Sequence, residues 1–344
     1  MAQSSRPPAN AFVATARKVY NPIGFTKGYN FVLFFIFAGA MMGFVLARFQ
    51  YLDHYGTMCR TPGIGECYWS TKGISEIGLR MHLAAILPAG FLVCFQFVPA
   101  IRHKALLFHR ISGYLILTLS LVSTIGAFMT GRHAFGGGLD IQLGVGVLGI
   151  SFTVCMVLAY INIKRLQIEQ HRAWMLRGWF YAASIITLRV IMIIMANIVS
   201  STGEYYASRP CAQVDYTLGE NRTRTLYPDC EPFYTGQNLD QYVLIPAKIG
   251  VPGTNSATAA AALGESFGAA FWLALFLHAV GIEVYLRLTP REHGRLRDVS
   301  YQRQKEAGMR NPGSAGLTAD RLGDAAPWEP ASTLYQDLIQ SSDK

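Results

Sequence analysis

Long apolar blocks alternate with shorter polar segments along this chain. Six of the blocks contain about 20 mostly apolar residues, the number that an α-helix needs to cross a bilayer. The blocks are residues 30–49, 81–101, 111–130, 141–163, 178–200 and 266–286. The second, third and fourth blocks contain no Asp, Glu, Lys or Arg. The pattern therefore predicts an all-α fold, a polytopic membrane bundle of six transmembrane helices.

The composition favours a membrane bundle over a soluble fold. Charged residues make up 15% of the 344 residues and hydrophobic residues 51%, whereas a soluble domain contains about 25% charged residues. These values exclude a disordered or coiled-coil chain. We expect one membrane domain over residues 30–287, preceded by a cytosolic arm, residues 1–29. Residues 288–344 are polar and are predicted to form a cytosolic, largely disordered tail.

Basic residues indicate which side of the membrane each loop occupies. They concentrate before the first block, between the second and third, between the fourth and fifth, and after the sixth. Since cytosolic segments of membrane proteins are enriched in Lys and Arg, both termini are predicted to be cytosolic. The loops 50–80, 131–140 and 201–262 are then lumenal. This placement accounts for the net charge of +9, so we expect no nucleic-acid partner.

Cysteines and one sequon agree with this orientation. Cys59 and Cys67 lie in the first predicted lumenal loop, and Cys211 and Cys230 lie in the last. Disulfides form in oxidising compartments, so these four residues predict two disulfides, whose pairing stays open. Asn221 begins an Asn-Arg-Thr sequon and is a predicted glycosylation site. Together these features predict a multi-pass protein of the endoplasmic reticulum or another endomembrane.

Arg189 is a charged residue well inside the fifth apolar block. A guanidinium at this depth costs a few kcal/mol unless it faces the bundle interior and finds a partner. We therefore predict that Arg189 binds a polar or anionic group of a ligand. The alternative is a structural arginine that is bonded to neighbouring helix ends. Asn197, two turns further along the helix, is predicted to share its face.

Few carboxylates lie near the apolar blocks, and two of them open blocks on the predicted lumenal side. Asp140 precedes the fourth block, and Glu265 precedes the sixth. With His82 in the second block, they suggest a pocket for acid–base chemistry on an apolar substrate, with either acid as proton donor. The alternative is that both acids only complement the positive ends of their helix dipoles.

The positions of four histidines suggest haem binding as an alternative function. His82 and His133 lie toward the predicted lumenal side, and His109 and His171 lie at the cytosolic border. Two such pairs are the arrangement of two bis-histidine b-type haems that carry electrons across a membrane. The sequence shows no other metal-ligand spacing, so no further metal site is expected. A transporter or a non-enzymatic scaffold is the third class to consider.

Several of these residues together resemble a known family. The order His82, His109-Arg110, His171-Arg172-Ala-Trp174-Met175-Leu-Arg177 and then Arg189 resembles a widespread membrane family catalogued only as a domain of unknown function. The resemblance covers about residues 80–200. The cysteine-bearing loop and the long segment before the last block are similar to the fungal branch. Some fungal members are similar to membrane-bound terpene cyclases of meroterpenoid pathways, as in ascochlorin and ascofuranone biosynthesis.

The resemblance implies a reaction on a lipophilic small molecule, without a cofactor. The other expected partner is membrane lipid. An acid protonates the epoxide of a farnesyl chain, alkene carbons attack, and a base removes the final proton. Under this resemblance, Asp140 or Glu265 is the acid, His82 is the base or relay, and Arg189 holds a phenol or carbonyl. Nothing in the sequence indicates the oligomeric state.

Overall fold

The computed structural model describes residues 7–59 and 65–330, and it confirms six long apolar helices. A helix of this length satisfies every backbone polar group within itself, which a segment in lipid requires. The six helices are α2 (Gly28–Arg48), α4 (Gly73–Gln96), α6 (Leu106–Thr130), α7 (Leu139–Lys164), α8 (Ile168–Thr202) and α12 (Ser256–Leu288). The predicted class, a polytopic all-α membrane protein, is therefore confirmed.

All six helices begin earlier than their apolar blocks, and three of them begin eight or more residues earlier. Helix α4 begins at Gly73 rather than at residue 81, and α12 begins at Ser256 rather than at residue 266. Helix α8 begins at Ile168 instead of residue 178. Hydropathy detects only the part of a helix that lipid surrounds, while backbone hydrogen bonding continues through polar residues beyond it.

The chain divides into two compact units, Met1–Gly149 with Ile185–Leu273, and Ile150–Ser184 with Ala274–Lys344. In the first unit, α4 and α6 pack closely because two glycines face each other. A Cβ atom on Gly78 would lie 2.8 Å from the carbonyl oxygen of Gly126. Small residues of this kind let transmembrane helices approach each other closely.

The first unit also contains the smaller elements outside the apolar helices. Helix α1 (Ala11–Tyr20) precedes α2, and a 3₁₀ turn, Phe49–Leu52, and a π turn, His54–Met58, follow it. The next short helices are α3 (Cys67–Ser70) before α4, and α5 (Pro99–Lys104) between α4 and α6.

A small module follows α8 in the first unit. Strand β1 (Tyr206–Pro210) pairs antiparallel with β2 (Tyr242–Pro246). Between the strands lie α9 (Cys211–Leu218), α10 (Glu220–Leu226) and α11 (Glu231–Tyr234). Disulfides join Cys211 to Cys230 and Cys59 to Cys67. The prediction of two disulfides is confirmed, and each one closes within its own loop.

The second unit contains a helix where the sequence predicts a largely disordered tail. Helix α13 (Pro290–Glu306) buries Leu296, Ser300 and Gln304, which are spaced four residues apart on one face. Gln304 Nε2 donates a hydrogen bond to the carbonyl oxygen of Arg165 at 3.0 Å, and Ser300 Oγ donates to the Glu169 carboxylate. Polar side chains with specific partners hold this helix, and hydropathy does not detect them. The short helix α14 (Ala319–Leu322) follows.

Candidate functional site

Glu66 lies at the centre of a cluster of charged and aromatic residues in the first unit. It immediately precedes α3, and its carboxylate Oε2 accepts a hydrogen bond from the backbone N–H of Phe135 at 2.7 Å. Burial raises the pKa of Glu66 from an ordinary 4.5 to about 7. The bond from Phe135 and the positive charges of Arg209 and Arg189 act in the opposite direction and lower the pKa. A carboxyl group with this pKa can donate a proton near neutral pH.

Arg189 lies over two aromatic rings of the same unit. Its guanidinium carbon is 4.7 Å from the ring centroid of Phe135 and 5.4 Å from that of Phe267. The two rings are themselves stacked, with centroids 4.0 Å apart. Within residues 7–59 and 65–330, no carboxylate forms a salt bridge with Arg189, and its buried Nε has no hydrogen-bond partner. The site therefore holds a guanidinium with an unused donor.

The glycine-rich turn before α7 places Phe135 between Glu66 and Arg189. Phe135 has φ of +50°, a left-handed conformation that is uncommon for a residue with a side chain. This conformation directs its N–H to Glu66 while its ring stacks on Phe267. Gly136 follows with φ of +93°, and a Cβ atom there would overlap the guanidinium of Arg209. The missing side chain allows Arg209 to lie against the turn.

Gln213 of α9 holds the segment that carries Glu66. Its Nε2 donates to the carbonyl oxygen of Gly65 at 2.9 Å, and its Oε1 accepts from Trp69 Nε1 at 3.3 Å. Gln213 is buried, and its helix begins at the disulfide-bonded Cys211. The two hydrogen bonds fix the chain at Gly65, before Glu66, and at Trp69, after it. Gln213 is therefore a positioning residue for the acid.

Replacing Gln213 with Ala is expected to destabilise the protein by about 2 kcal/mol, because the Gly65 carbonyl and the Trp69 N–H both lose a buried partner. The pKa of Glu66 should also move toward its ordinary value as the loosened segment admits water. Thermal unfolding in detergent and a pH titration of Glu66 by infrared spectroscopy measure the two effects. Gln50→Ala, on an exposed side chain, serves as the control. An unchanged pKa in Gln213→Ala would contradict the positioning role.

The pKa of Glu66 also predicts how stability depends on pH. Since folding raises this pKa from 4.5 to about 7, the folded state binds the proton more tightly than the unfolded state. The resulting stabilisation is complete below about pH 4.5 and is lost as the pH rises to 7, a change of up to about 3 kcal/mol.

This pH dependence can be isolated with an isosteric variant. Unfolding of wild type and of Glu66→Gln should be compared at several pH values between 4.5 and 8. The stability difference between them should follow a titration centred between these limits. His133 titrates with the opposite sign, because burial and Arg132 lower its pKa, but it is present in both proteins. Parallel stability curves would refute the assigned pKa.

The two acids predicted from sequence lie in the same unit but not in contact with Arg189. Asp140 is exposed, and its carboxylate lies against Gly268 of α12. Trp272 Nε1 donates to the Asp140 carbonyl oxygen at 3.1 Å. Glu265 is also exposed and interacts electrostatically with Arg209 and Asp140. The acid that contacts Phe135 and interacts with Arg189 is Glu66, a residue that the sequence pattern did not single out.

His82 and Asn197 have partners outside this cluster. His82 Nδ1 lies 2.9 Å from Ser123 Oγ and 3.0 Å from the Ser123 carbonyl oxygen on α6. Asn197 is exposed, and its Nδ2 donates to the carbonyl oxygen of Ile193 on its own helix at 2.7 Å. Neither residue hydrogen-bonds Arg189 in the described part of the chain. The hydrogen bonds of both residues are therefore made with other partners than the arginine with which the sequence grouped them.

The remaining histidines of the haem hypothesis occupy different surroundings. The imidazole of His133 stacks on the indole of Trp69 with centroids 4.0 Å apart. His171 Nδ1 lies 2.9 Å from the carbonyl oxygen of Ala159 in the second unit, and His109 is on α6 in the first. Among the residues described, no three His, Cys, Asp or Glu side chains form a group that could hold a metal ion.

The string His171-Arg172-Ala-Trp174-Met175-Leu-Arg177 has a structural role in the second unit. Arg177 forms a salt bridge with Glu283 at 2.6 Å and lies 4.8 Å from the Trp174 ring centroid. Arg172 donates a hydrogen bond to the Tyr285 hydroxyl at 3.0 Å. These contacts fasten the first half of α8 to the second half of α12. The string therefore marks a helix–helix contact within this unit.

Asn221 and the residues lining two surface cavities are not members of the cluster. Asn221 is exposed on α10, so a glycan has room there, and glycosylation stays a prediction. One cavity is lined by residues from Pro228 to Leu244, and another by residues from His293 to Glu329. Neither of these cavities includes Glu66 or Arg189.

The fold and this cluster define a polytopic integral membrane protein. The chain is similar to known proteins at two levels. A family described as "Predicted membrane protein (DUF2306)" matches residues 79–210. "Ava biosynthesis cluster protein G" of Aspergillus versicolor is 24% identical over 312 residues, which cover 77% of this chain and 90% of that protein. No solved structure matches.

These similarities confirm part of what the sequence resemblance implied. The match to a membrane family of unknown function confirms the resemblance over about residues 80–200. The matched segment includes Phe135, Arg189 and Arg209, whereas Glu66 and Gln213 lie outside it. The chain is therefore a membrane protein that is similar to a protein of a biosynthesis cluster.

Proposed function

We propose that this protein is an endomembrane enzyme that cyclises the epoxidised farnesyl chain of a lipophilic meroterpenoid. The observation that carries the proposal is the Glu66 carboxyl, with a pKa of about 7, beside the stacked rings of Phe135 and Phe267. An acid that keeps its proton near neutral pH suits the first step of such a cyclisation. The similarity to a biosynthesis-cluster protein supports a role in a biosynthetic pathway.

In the proposed reaction, Glu66 donates its proton to the epoxide oxygen, and one carbon–oxygen bond of the epoxide breaks. An alkene of the same chain then attacks the electron-poor carbon and forms the ring carbon–carbon bond. The new cation loses a proton to a base, so the product is an isomer of the substrate. Asp140 and Glu265, both of which carry exposed carboxylates, are the proposed bases. Glu66 thus takes the role of proton donor that the sequence-based hypothesis gave to Asp140 or Glu265.

Phe135, Phe267 and Arg189 have separate roles in this proposal. The faces of the two phenylalanine rings stabilise positive charge that develops on the substrate carbons. Arg189 binds an oxygen of the aromatic core through its unused Nε donor. This pairing orients the chain beside the two rings.

A direct assay tests the proposed function. Membranes that contain the full-length protein should convert an epoxyfarnesyl phenol into a cyclic product of equal mass, without added metal or cofactor. Membranes from the same host without the protein are the control. No conversion of this substrate by folded protein would contradict the proposal. A Soret absorption band in the purified protein would instead favour the b-type haem alternative, with His82, His133, His109 and His171 as candidate ligands.

A further inference from the structure

One end of the first unit carries positive charge without any acidic residue. Residues 1–52 and 77–139 contain no Asp or Glu. Within them, α1, the segment before α2, α5 and the first turn of α6 carry a group of basic residues that we call the basic collar. Its members are Arg17, Lys18, Lys27, Arg102, Lys104 and Arg110. These segments therefore supply no internal counter-charge for the basic collar.

Backbone contacts bring α1 and α5 to the same end of the bundle. The backbone N–H of Ala100 donates to the carbonyl oxygen of Ile23 at 3.0 Å. Gly24 has φ of +92°, and a Cβ atom on it would lie 2.8 Å from the Ala100 nitrogen. The ring of Tyr20, at the end of α1, stacks on Phe31 of α2 with centroids 5.8 Å apart. Helix α1 is thus held at the base of α2, beside α5.

Exposed apolar side chains are interleaved with the cations of the basic collar. Phe12 and Val19 lie seven residues apart on one face of α1 and are 81% and 61% exposed. Leu107, in the first turn of α6, is 72% exposed. Lys18 and Lys104 are exposed beside them. Helices with an uncovered apolar face flanked by basic residues lie in the interface between lipid headgroups and acyl chains.

We propose that the basic collar binds the headgroups of anionic phospholipids, with α1 lying in the membrane interface. The charge of the collar is complementary to an anionic leaflet, and its position is continuous with a span, because Lys27 directly precedes α2. Phe12 and Val19 enter the acyl boundary, while the lysines and arginines contact phosphate and carboxylate oxygens. This lipid site is independent of the reaction proposed above.

Native mass spectrometry of the full-length protein tests this proposal. Protein purified from nanodiscs with equal amounts of phosphatidylserine and phosphatidylcholine should retain several-fold more phosphatidylserine. In the triple variant Lys18→Gln, Lys27→Gln, Lys104→Gln the ratio should fall close to one, because each basic residue near the surface contributes separately to anion binding. Inorganic phosphate at the same concentration should not displace the lipid, since it lacks the acyl chains.

The matched control removes three basic residues outside the collar. Arg80→Gln, Arg132→Gln, Arg222→Gln changes exposed arginines of the same unit by the same net charge and should leave the lipid ratio unchanged. Equal retention of both lipids by the wild type would overturn the proposal even if the triple variant failed to fold. An equal drop in the control variant would also overturn it, because the preference would then follow net charge alone.

Discussion

Replacing Glu66 with Gln is expected to reduce cyclisation by about 10²- to 10⁴-fold, the usual contribution of a positioned general acid. Gln keeps the oxygen that accepts the Phe135 N–H, so the fold of the glycine-rich turn should survive. The wild-type rate should fall as the pH rises above about 7, because Glu66 must be protonated to act. The measurement is product formation in membranes across this pH range.

A control variant at another carboxylate distinguishes the role of Glu66 as proton donor from a general effect of lost negative charge. Glu204→Gln neutralises an exposed carboxylate in the same unit and should retain full activity. Glu66→Asp should keep part of the activity, because it retains an acid at a shorter reach. If Glu66→Gln folded and turned over at the wild-type rate, Asp140 or Glu265 would be the proton donor. Asp140→Asn and Glu265→Gln would then show the loss.

Replacing Arg189 with Gln is expected to lower kcat/KM by about 10- to 100-fold, the cost of a lost charged hydrogen bond to the substrate. The loss should appear mainly in KM, because Arg189 holds the substrate and does not transfer the proton. The pH at which activity is half lost should also rise, because the Arg189 charge lowers the pKa of Glu66 and the variant lacks that charge. Steady-state kinetics between pH 6 and pH 9 would measure both.

The exposed arginine next to the glycine-rich turn provides the control for Arg189. Arg132→Gln removes the same charge without touching the Phe135–Phe267 pair and should leave KM unchanged. A structural role for Arg189 would reduce the amount of folded protein without shifting the pH at which activity is half lost. A full loss of folding in Arg189→Gln, with Arg189→Lys equally unfolded, would therefore argue against a substrate-binding arginine.

The membrane fold was predictable because the bilayer imposes a length and a composition on each span. Apolar blocks of about 20 residues satisfy their backbone in lipid as helices, and residues 7–59 and 65–330 contain six such helices. The pairing of Cys59 with Cys67 and of Cys211 with Cys230 also lies within the two loops that the block pattern defined. The orientation of the termini stays a prediction from the positive loops.

The site was only partly predictable. Arg189 was identified because a charged residue inside an apolar block is rare and expensive. Glu66 and Gln213 lie in polar loops, where a carboxylate or an amide is common and carries no signal of its own. Their importance depends on contacts between residues that are distant in sequence. Glu66 and Phe135 are 69 residues apart, and Gln213 and Gly65 are 148 residues apart. His82 was grouped with Arg189 by its depth, and Asn197 by its position two turns along the same helix. Neither criterion determines which partner a side chain binds.

The sequence by itself determined which segments enter the membrane, because burial in lipid is a property of each segment that does not depend on its neighbours. Only the tertiary structure decided which side chains share a site. The glycine-rich turn adopts a left-handed backbone at Phe135, and this brings Glu66, Arg189 and Phe267 together from three separate regions of the chain. Desolvation of a carboxyl group arises from that assembly, and so does the raised pKa of Glu66 on which the proposed chemistry depends.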